Sequence, residues 1–219
     1  MKKKIFMLAV AACLVVLSIA GSSLAYFTDT DEKTTVFTAG NVDIKLSFTA
    51  PEGNAYPNQA ISAPADITNV GSEDAYVGAI ITFTAGADKN LATIISPEGD
   101  ADDIPVSIRK LLVGLVSTDC VIKYTTTQVD GKTTEYKVYV LMDNVVAKES
   151  GTVTLFEGVK IPYQWNNAEM AVFNQLNISV KAYATQTKGF TTDGTDTAET
   201  ALTTAFPDWT GFSGYDTLA

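Results

Sequence analysis

The stretch NVDIKLSF, Asn41 to Phe48, decides the fold class. Val42, Ile44, Leu46 and Phe48 point one way, and Asn41, Asp43, Lys45 and Ser47 point the other. An apolar-polar repeat of period two belongs to a strand buried on one face. The repeat returns downstream. AYVGAIITFT (Ala75 to Thr84) sets Ala75, Val77, Ala79, Ile81 and Phe83 on one face. LNISVKAYATQ (Leu176 to Gln186) does the same with Ile178, Val180, Ala182 and Ala184. CVIKYTTTQ (Cys120 to Gln128) and KTTEYKVYVLM (Lys132 to Met142) flank Asp130-Gly131, which is the signature of a hairpin. ADITNVGS (Ala65 to Ser72) reads as a short strand ending in an Asn-Val-Gly turn, and GTVTLFEGVKIP (Gly151 to Pro162) as a further strand.

The connections are equally readable. APEGNAYPNQ (Ala50 to Gln59), with two prolines and a glycine, is a loop, and SPEGDADDIP (Ser96 to Pro105) is an acidic one. In VSIRKLLVGLVS (Val106 to Ser117), Ile108, Leu111, Leu112 and Leu115 sit at helical spacing and predict one short helix. NNAEMAVFNQ (Asn166 to Gln175) predicts a helical turn. About seven or eight strands with turn signals between them predict a mainly β fold, a jelly-roll-like two-sheet antiparallel sandwich with one or two short helices in the connections.

Outside this domain the chain changes character. Lys2, Lys3 and Lys4 precede an apolar run, Ile5 to Ile19, broken only by Ser18. That run is shorter than the ~20 residues of a membrane-spanning helix. Ser23 and Ala25 are small residues at minus three and minus one from Tyr26, so a signal peptidase is expected to cut between Ala25 and Tyr26. VAAC (Val10 to Cys13) fits a lipobox only loosely, because apolar LVVLSIA follows it. The expected organisation is a signal peptide over 1–25, an amino-terminal segment over 26–40, the β domain over 41–190 and a polar, weakly helical tail over 191–219.

Composition excludes several functions. Without the leader's three lysines, 12 basic residues face 25 acidic ones, a formal charge of −13. Nucleic acid is therefore not an expected partner, since phosphate binding needs a basic face. The chain has no histidine, which excludes HExxH zinc sites, Ser-His-Asp triads and Cys-His dyads. Carboxylate-pair hydrolysis is allowed by the many acids, but no spacing singles out a pair. Cys120 is the only cysteine beyond the leader and is expected to be a small buried apolar residue.

Glu98, Asp100, Asp102 and Asp103 are the main candidate metal ligands, suited by their oxygens to calcium, although they lack the EF-hand order. A solvated acidic loop is the plainer reading, and the same holds for Asp29, Asp31 and Glu32. No cofactor other than calcium is expected. Tyr76, Tyr124, Tyr136, Tyr139, Tyr163, Tyr183, Trp165 and Trp209 offer rings for a carbohydrate platform, but at strand positions such rings more often fill a core.

Cleavage leaves Tyr26, Phe27, Thr28, Asp29 and Thr30 as a free, extended end. Such an end either pairs with its own sheet or adds to an open edge on a neighbour. GSSLAYFTDTDEKTTVFTAGNVDIKL (Gly21 to Leu46) resembles the leader junction and first strand of the TasA/camelysin family. ITNVGSEDAYVGAIITF (Ile67 to Phe83) and ISVKAYATQTKGF (Ile178 to Phe190) are similar to its Asn-x-Gly turn and last core strand. The resemblance implies a secreted protein of a Gram-positive bacterium, processed by a SipW-type signal peptidase. It implies a jelly-roll subunit of biofilm-matrix or cell-surface fibres, with Tyr26 to Thr30 as the donated strand. Copies of the chain are the implied partners, with a minor matrix or anchoring protein beside them. The membrane is touched only through the uncleaved leader. The family's camelysin name implies a metalloprotease, a reading the missing histidines oppose, so no enzyme is expected. A monomeric surface adhesin or glycan-binding module is the remaining alternative.

Overall fold

In a computed structural model of the chain, the structure describes residues 28–31, 42–49, 55–86, 88–97, 104–189, 197–209 and 216–218. The strands are β1 (Thr28–Asp31), β2 (Ile44–Phe48), β3 (Ala60–Asn69), β4 (Ala75–Thr84), β5 (Ile95–Ser96) and β6 (Val106–Ser107). They continue as β7 (Leu112–Val113), β8 (Cys120–Val129), β9 (Lys132–Met142), β10 (Thr152–Lys160), β11 (Asn177–Gln186) and β12 (Asp216–Thr217). The helices are α1 (Ile108–Leu111), α2 (Asn167–Phe173) and α3 (Ala198–Ala205).

One sheet runs β1-β11-β4-β9-β8-β12 and the other β2-β3-β10-β7, with antiparallel neighbours throughout. β5 and β6 form a separate parallel pair. The expected mainly β sandwich is therefore present. β1 and β11 lie against β2, so these strands share one side of the sandwich.

The alternation seen in the sequence sets the register. Val77 faces Ala184, Ala79 faces Ala182, Ile81 faces Val180 and Phe83 faces Ile178. All eight are buried and meet Ile44, Ala65, Ile67, Phe156 and Val159 of the other sheet. Each large side chain so removed from water contributes about 1.5–3 kcal/mol. The Asn-Val-Gly turn is also built into the core. Fully buried Asn69 donates from Nδ2 to the Glu73 carbonyl (2.9 Å) and the Val146 carbonyl (3.1 Å), and its Oδ1 accepts from Gly71 N–H at 3.0 Å. One side chain thus ties the β3–β4 turn to the β9–β10 connection.

The helix expected over Val106 to Ser117 is only a single turn. At Leu112 the backbone turns extended (φ −90°, ψ 102°), and Leu112 and Val113 pair with Val159 and Gly158 of β10. Sheet hydrogen bonds win there over continued helix, while Ile108, Leu111, Leu112 and Leu115 stay buried as their spacing suggests. α2 begins in a capping box. Asn166 Oδ1 accepts from Ala168 N–H, and Glu169 Oε2 accepts from Asn166 N–H.

The weakly helical part of the tail contains α3, which lies on the outer face of the larger sheet. Ala198, Leu202, Phe206 and Trp209 cover Ile80, Tyr139, Leu141 and Tyr183 in a second apolar cluster. Trp209 stands edge-on to Tyr139 and Tyr183, at 5.7 and 5.6 Å between ring centres. Gly78 makes room for this, because a Cβ there would lie 2.7 Å from the Trp209 ring. Asp208 fastens the end of the strap, accepting from Tyr183 Oη at 2.6 Å and Lys181 Nζ at 2.9 Å.

The Tyr183 hydrogen bond, helped by Lys181, holds the Asp208 carboxyl below its ordinary range. A folded-state pKa below the unfolded one gives stability that is present above the unfolded value. It is lost as pH falls through the folded value. Acidification is therefore expected to loosen the strap before the sandwich. In a Trp165→Phe background, Trp209 emission should shift to the red below the ordinary carboxylate range. Asp208→Asn should remove that dependence, and an unchanged acid profile in Asp208→Asn would refute this role.

Candidate functional site

β1 is an unusual strand in composition. Its sequence, Thr-Asp-Thr-Asp, has no apolar residue, and Asp is depleted in strands. Main-chain pairing holds it. Thr28 faces Thr185, Asp29 faces Ala184, Thr30 faces Tyr183 and Asp31 faces Ala182. Among the described residues no other strand lies on that side of β11, and β1 covers four of its ten positions. At a net ~0.5–1.5 kcal/mol per backbone hydrogen bond, such a pairing is worth a few kcal/mol at most.

On the opposite side of the sandwich, part of β10 has no strand beside it among the described residues. Asn69 N–H bonds to the Gly151 carbonyl, so alternation along β10 turns the main-chain groups of Thr152 and Thr154 away from β3. β7 pairs only with Gly158 and Val159, and Val116 N–H reaches Leu155 O. Beyond that the chain diverges and leaves a groove of about 400 Å³, lined by Val116, Asp119, Met142, Val146 and Val153 among others.

The sequence candidates fall unevenly on this frame. Thr28, Asp29 and Thr30 lie in β1, docked on the chain's own sheet. Ala25, Tyr26 and Phe27 lie outside the described residues, as do Glu98, Asp100, Asp102 and Asp103. Asp31 is also in β1, and Glu32 is outside. Cys120 is half-buried rather than enclosed. Burial pushes its thiol pKa up, only partly offset by Arg109. Tyr124, Tyr136, Tyr139, Tyr183, Trp165 and Trp209 are core residues and Tyr76 packs beside them, so these rings form no platform. Tyr163 alone of the eight is well exposed, at 72%. No helix among the described residues is long and apolar enough to cross a membrane.

Residues 1–77 match the model of a family described as camelysin metallo-endopeptidase. No curated protein and no solved structure matches the chain. The family description overturns the expectation that the chain is not an enzyme, because it points to a peptidase. The described residues do not themselves fit a catalytic metal. No group of three or more His, Cys, Asp or Glu gathers among them, and the chain has no histidine to add. No reaction step through a metal can be derived from them. The matched region takes in β1 to β3 and the start of β4. The resemblance to the TasA/camelysin family, carried by the leader junction and the first strands, is borne out over this part of the chain.

Proposed function

We propose that this chain is a secreted structural subunit of cell-surface or biofilm-matrix fibres in a Gram-positive bacterium, assembling head to tail by donating its amino-terminal strand. A SipW-type signal peptidase frees Tyr26, and a minor matrix or anchoring protein tethers the fibre. The observation that carries the reading is β1 itself, a polar strand of four residues at a sheet edge, held through its main chain. The same contacts are available from a neighbour. Ten residues separate Asp31 from Val42, enough for about 35 Å of reach when extended. A domain of this size has a radius of gyration of about 16 Å, so the linker spans to an adjacent copy. A one-way exchange of this kind does not close and yields filaments. The acidic surface opposes nonspecific packing, which favours growth through one defined contact. Peptidase activity is what the family description suggests beside this, and a metal would have to be held without histidine.

The test is a cross-link across the β1–β11 register. Asp29→Cys and Ala184→Cys, directly opposed in the sheet, are combined with Cys120→Ser. Oxidised filaments should give a ladder of multiples on a non-reducing denaturing gel. Monomer bands alone would show that the strand stays at home and would end the donation reading. A ladder from Asp29→Cys paired with Val153→Cys, in place of Ala184→Cys, would move the seat to the β10 edge.

A further inference from the structure

We propose that the strap of α3 to Trp209 is the support of the β1 seat: it holds Ala182 to Thr185 of β11 ready to take a strand, whether or not one is bound. The consequence for assembly rests on the fibre reading, but the support itself is a property of the single chain.

Three patterns along β11 coincide. Among the described residues, β1 pairs with Ala182 to Thr185 and with no other part of the strand. Those four residues are buried in succession, whereas from Asn177 to Lys181 only Ile178 and Val180 are buried. Burial of alternate residues marks a strand covered on one face, and an unbroken buried run marks one covered on both. Ala182 and Ala184 belong to the core between the sheets. Tyr183, on the other face, belongs to the cluster beneath the strap. The doubly covered stretch of β11 and the stretch that pairs with β1 are the same four residues.

The strap bears on that stretch through one cross-strand row. Thr30 of β1 faces Tyr183, Tyr183 faces Gly78 of β4, and Gly78 faces Leu141 of β9. The Tyr183 ring stands edge-on to Phe206 and Trp209, with ring centres 5.0 and 5.6 Å away, and its hydroxyl donates to Asp208 at 2.6 Å. Trp209 and Leu202 fill the space over Gly78. The residue whose main chain meets β1 is therefore the one whose side chain three strap residues hold. With β1 away, the seat stays paired to β4 and covered on both faces. Without the strap, the same four residues would have to be ordered again at each capture, and that entropy weakens binding.

Two variants test this in the mature protein. Gly78→Ala lifts the strap without altering β1 or β11, because the new Cβ would lie 2.7 Å from the Trp209 ring and 2.8 Å from Leu202. Trp209→Ala removes the same contact from the strap side. In dilute, monomeric protein each variant should speed amide hydrogen exchange over Ala182 to Thr185 about tenfold or more relative to Asn177 to Lys181. Val138 to Val140 of β9 serve as the control for the sandwich as a whole. A strap that merely stabilises the domain would raise exchange over all three stretches together, and that result would overturn the proposal. So would unchanged exchange at the seat. Mixed with unaltered protein under filament-forming conditions, either variant still has its own β1 to donate but accepts poorly, so it should shorten the filaments. Filaments of unaltered length would overturn the acceptor role. If the unaltered protein forms no filaments, the fibre reading fails alone, and the exchange comparison still decides the support.

Discussion

Gly158→Val is expected to leave the protein without a cooperative fold. A Cβ at Gly158 would collide with the Ile61 carbonyl oxygen and stand 3.3 Å from the Ser62 Cα. Both are backbone atoms of β3, the strand that β10 must pair with. On the other side Gly158 faces Val113 of β7. The position is enclosed by main chain, so no side chain can swing away to make room. Keeping the valine means moving β10 off β3, which exposes Phe156, Val159 and Ile161, each now 0 or 1% accessible. At about 1.5–3 kcal/mol for each large apolar side chain, that loss matches the ~5–15 kcal/mol that holds a domain together. Gly78 gives the contrast. The nearest atoms to a Cβ there belong to the Trp209 and Leu202 side chains, which lie on the removable outer layer. Thermal unfolding followed by far-ultraviolet dichroism checks the prediction. A two-state melt within a few degrees of the wild type would refute it.

Gly158 also marks where sequence reading stops. β4 and β11 were legible because one face of each carries nearly all the apolar residues, and period two is the only repeat that fits. β10 reads as a strand, but two bulges near Phe156 break its alternation, so Leu155 and Phe156 are both buried in succession. No local pattern announces a bulge. In α1 the helical spacing of Ile108, Leu111, Leu112 and Leu115 reported burial correctly and geometry incorrectly, because β10 offers a pairing partner that spacing cannot see. The second apolar cluster did leave a signal. Val138 to Met142 of β9 are five buried residues in a row, as expected of a strand covered on both faces. What covers the outer face, Leu202, Phe206 and Trp209 at helical intervals, stands some sixty residues on, in a tail whose composition is mostly polar. The seat of β1 was legible only as a choice between its own sheet and a neighbour's.

Mature protein that begins at Val36 is expected to form no filaments under conditions in which protein beginning at Tyr26 does. The shortened chain keeps β2 to β12, both apolar clusters and the Asn69 tether, so its folded domain should survive as a monomer. What it lacks is the strand that occupies Ala182 to Thr185 of β11. Its own β11 edge stays open and can accept, yet it has nothing to donate, so it should cap growing ends of full-length filaments and shorten them in mixtures. A peptide spanning Tyr26 to Thr35 should compete for the same seat and slow elongation of intact protein. These two mixtures separate donation from a stabilising role in cis. If β1 merely propped up its own sheet, the truncated chain would melt earlier but would not poison full-length assembly, and added peptide would raise stability without slowing growth. Electron microscopy and sedimentation of the two mixtures read the difference directly, and filaments of undiminished yield from the chain beginning at Val36 would rule the donated strand out.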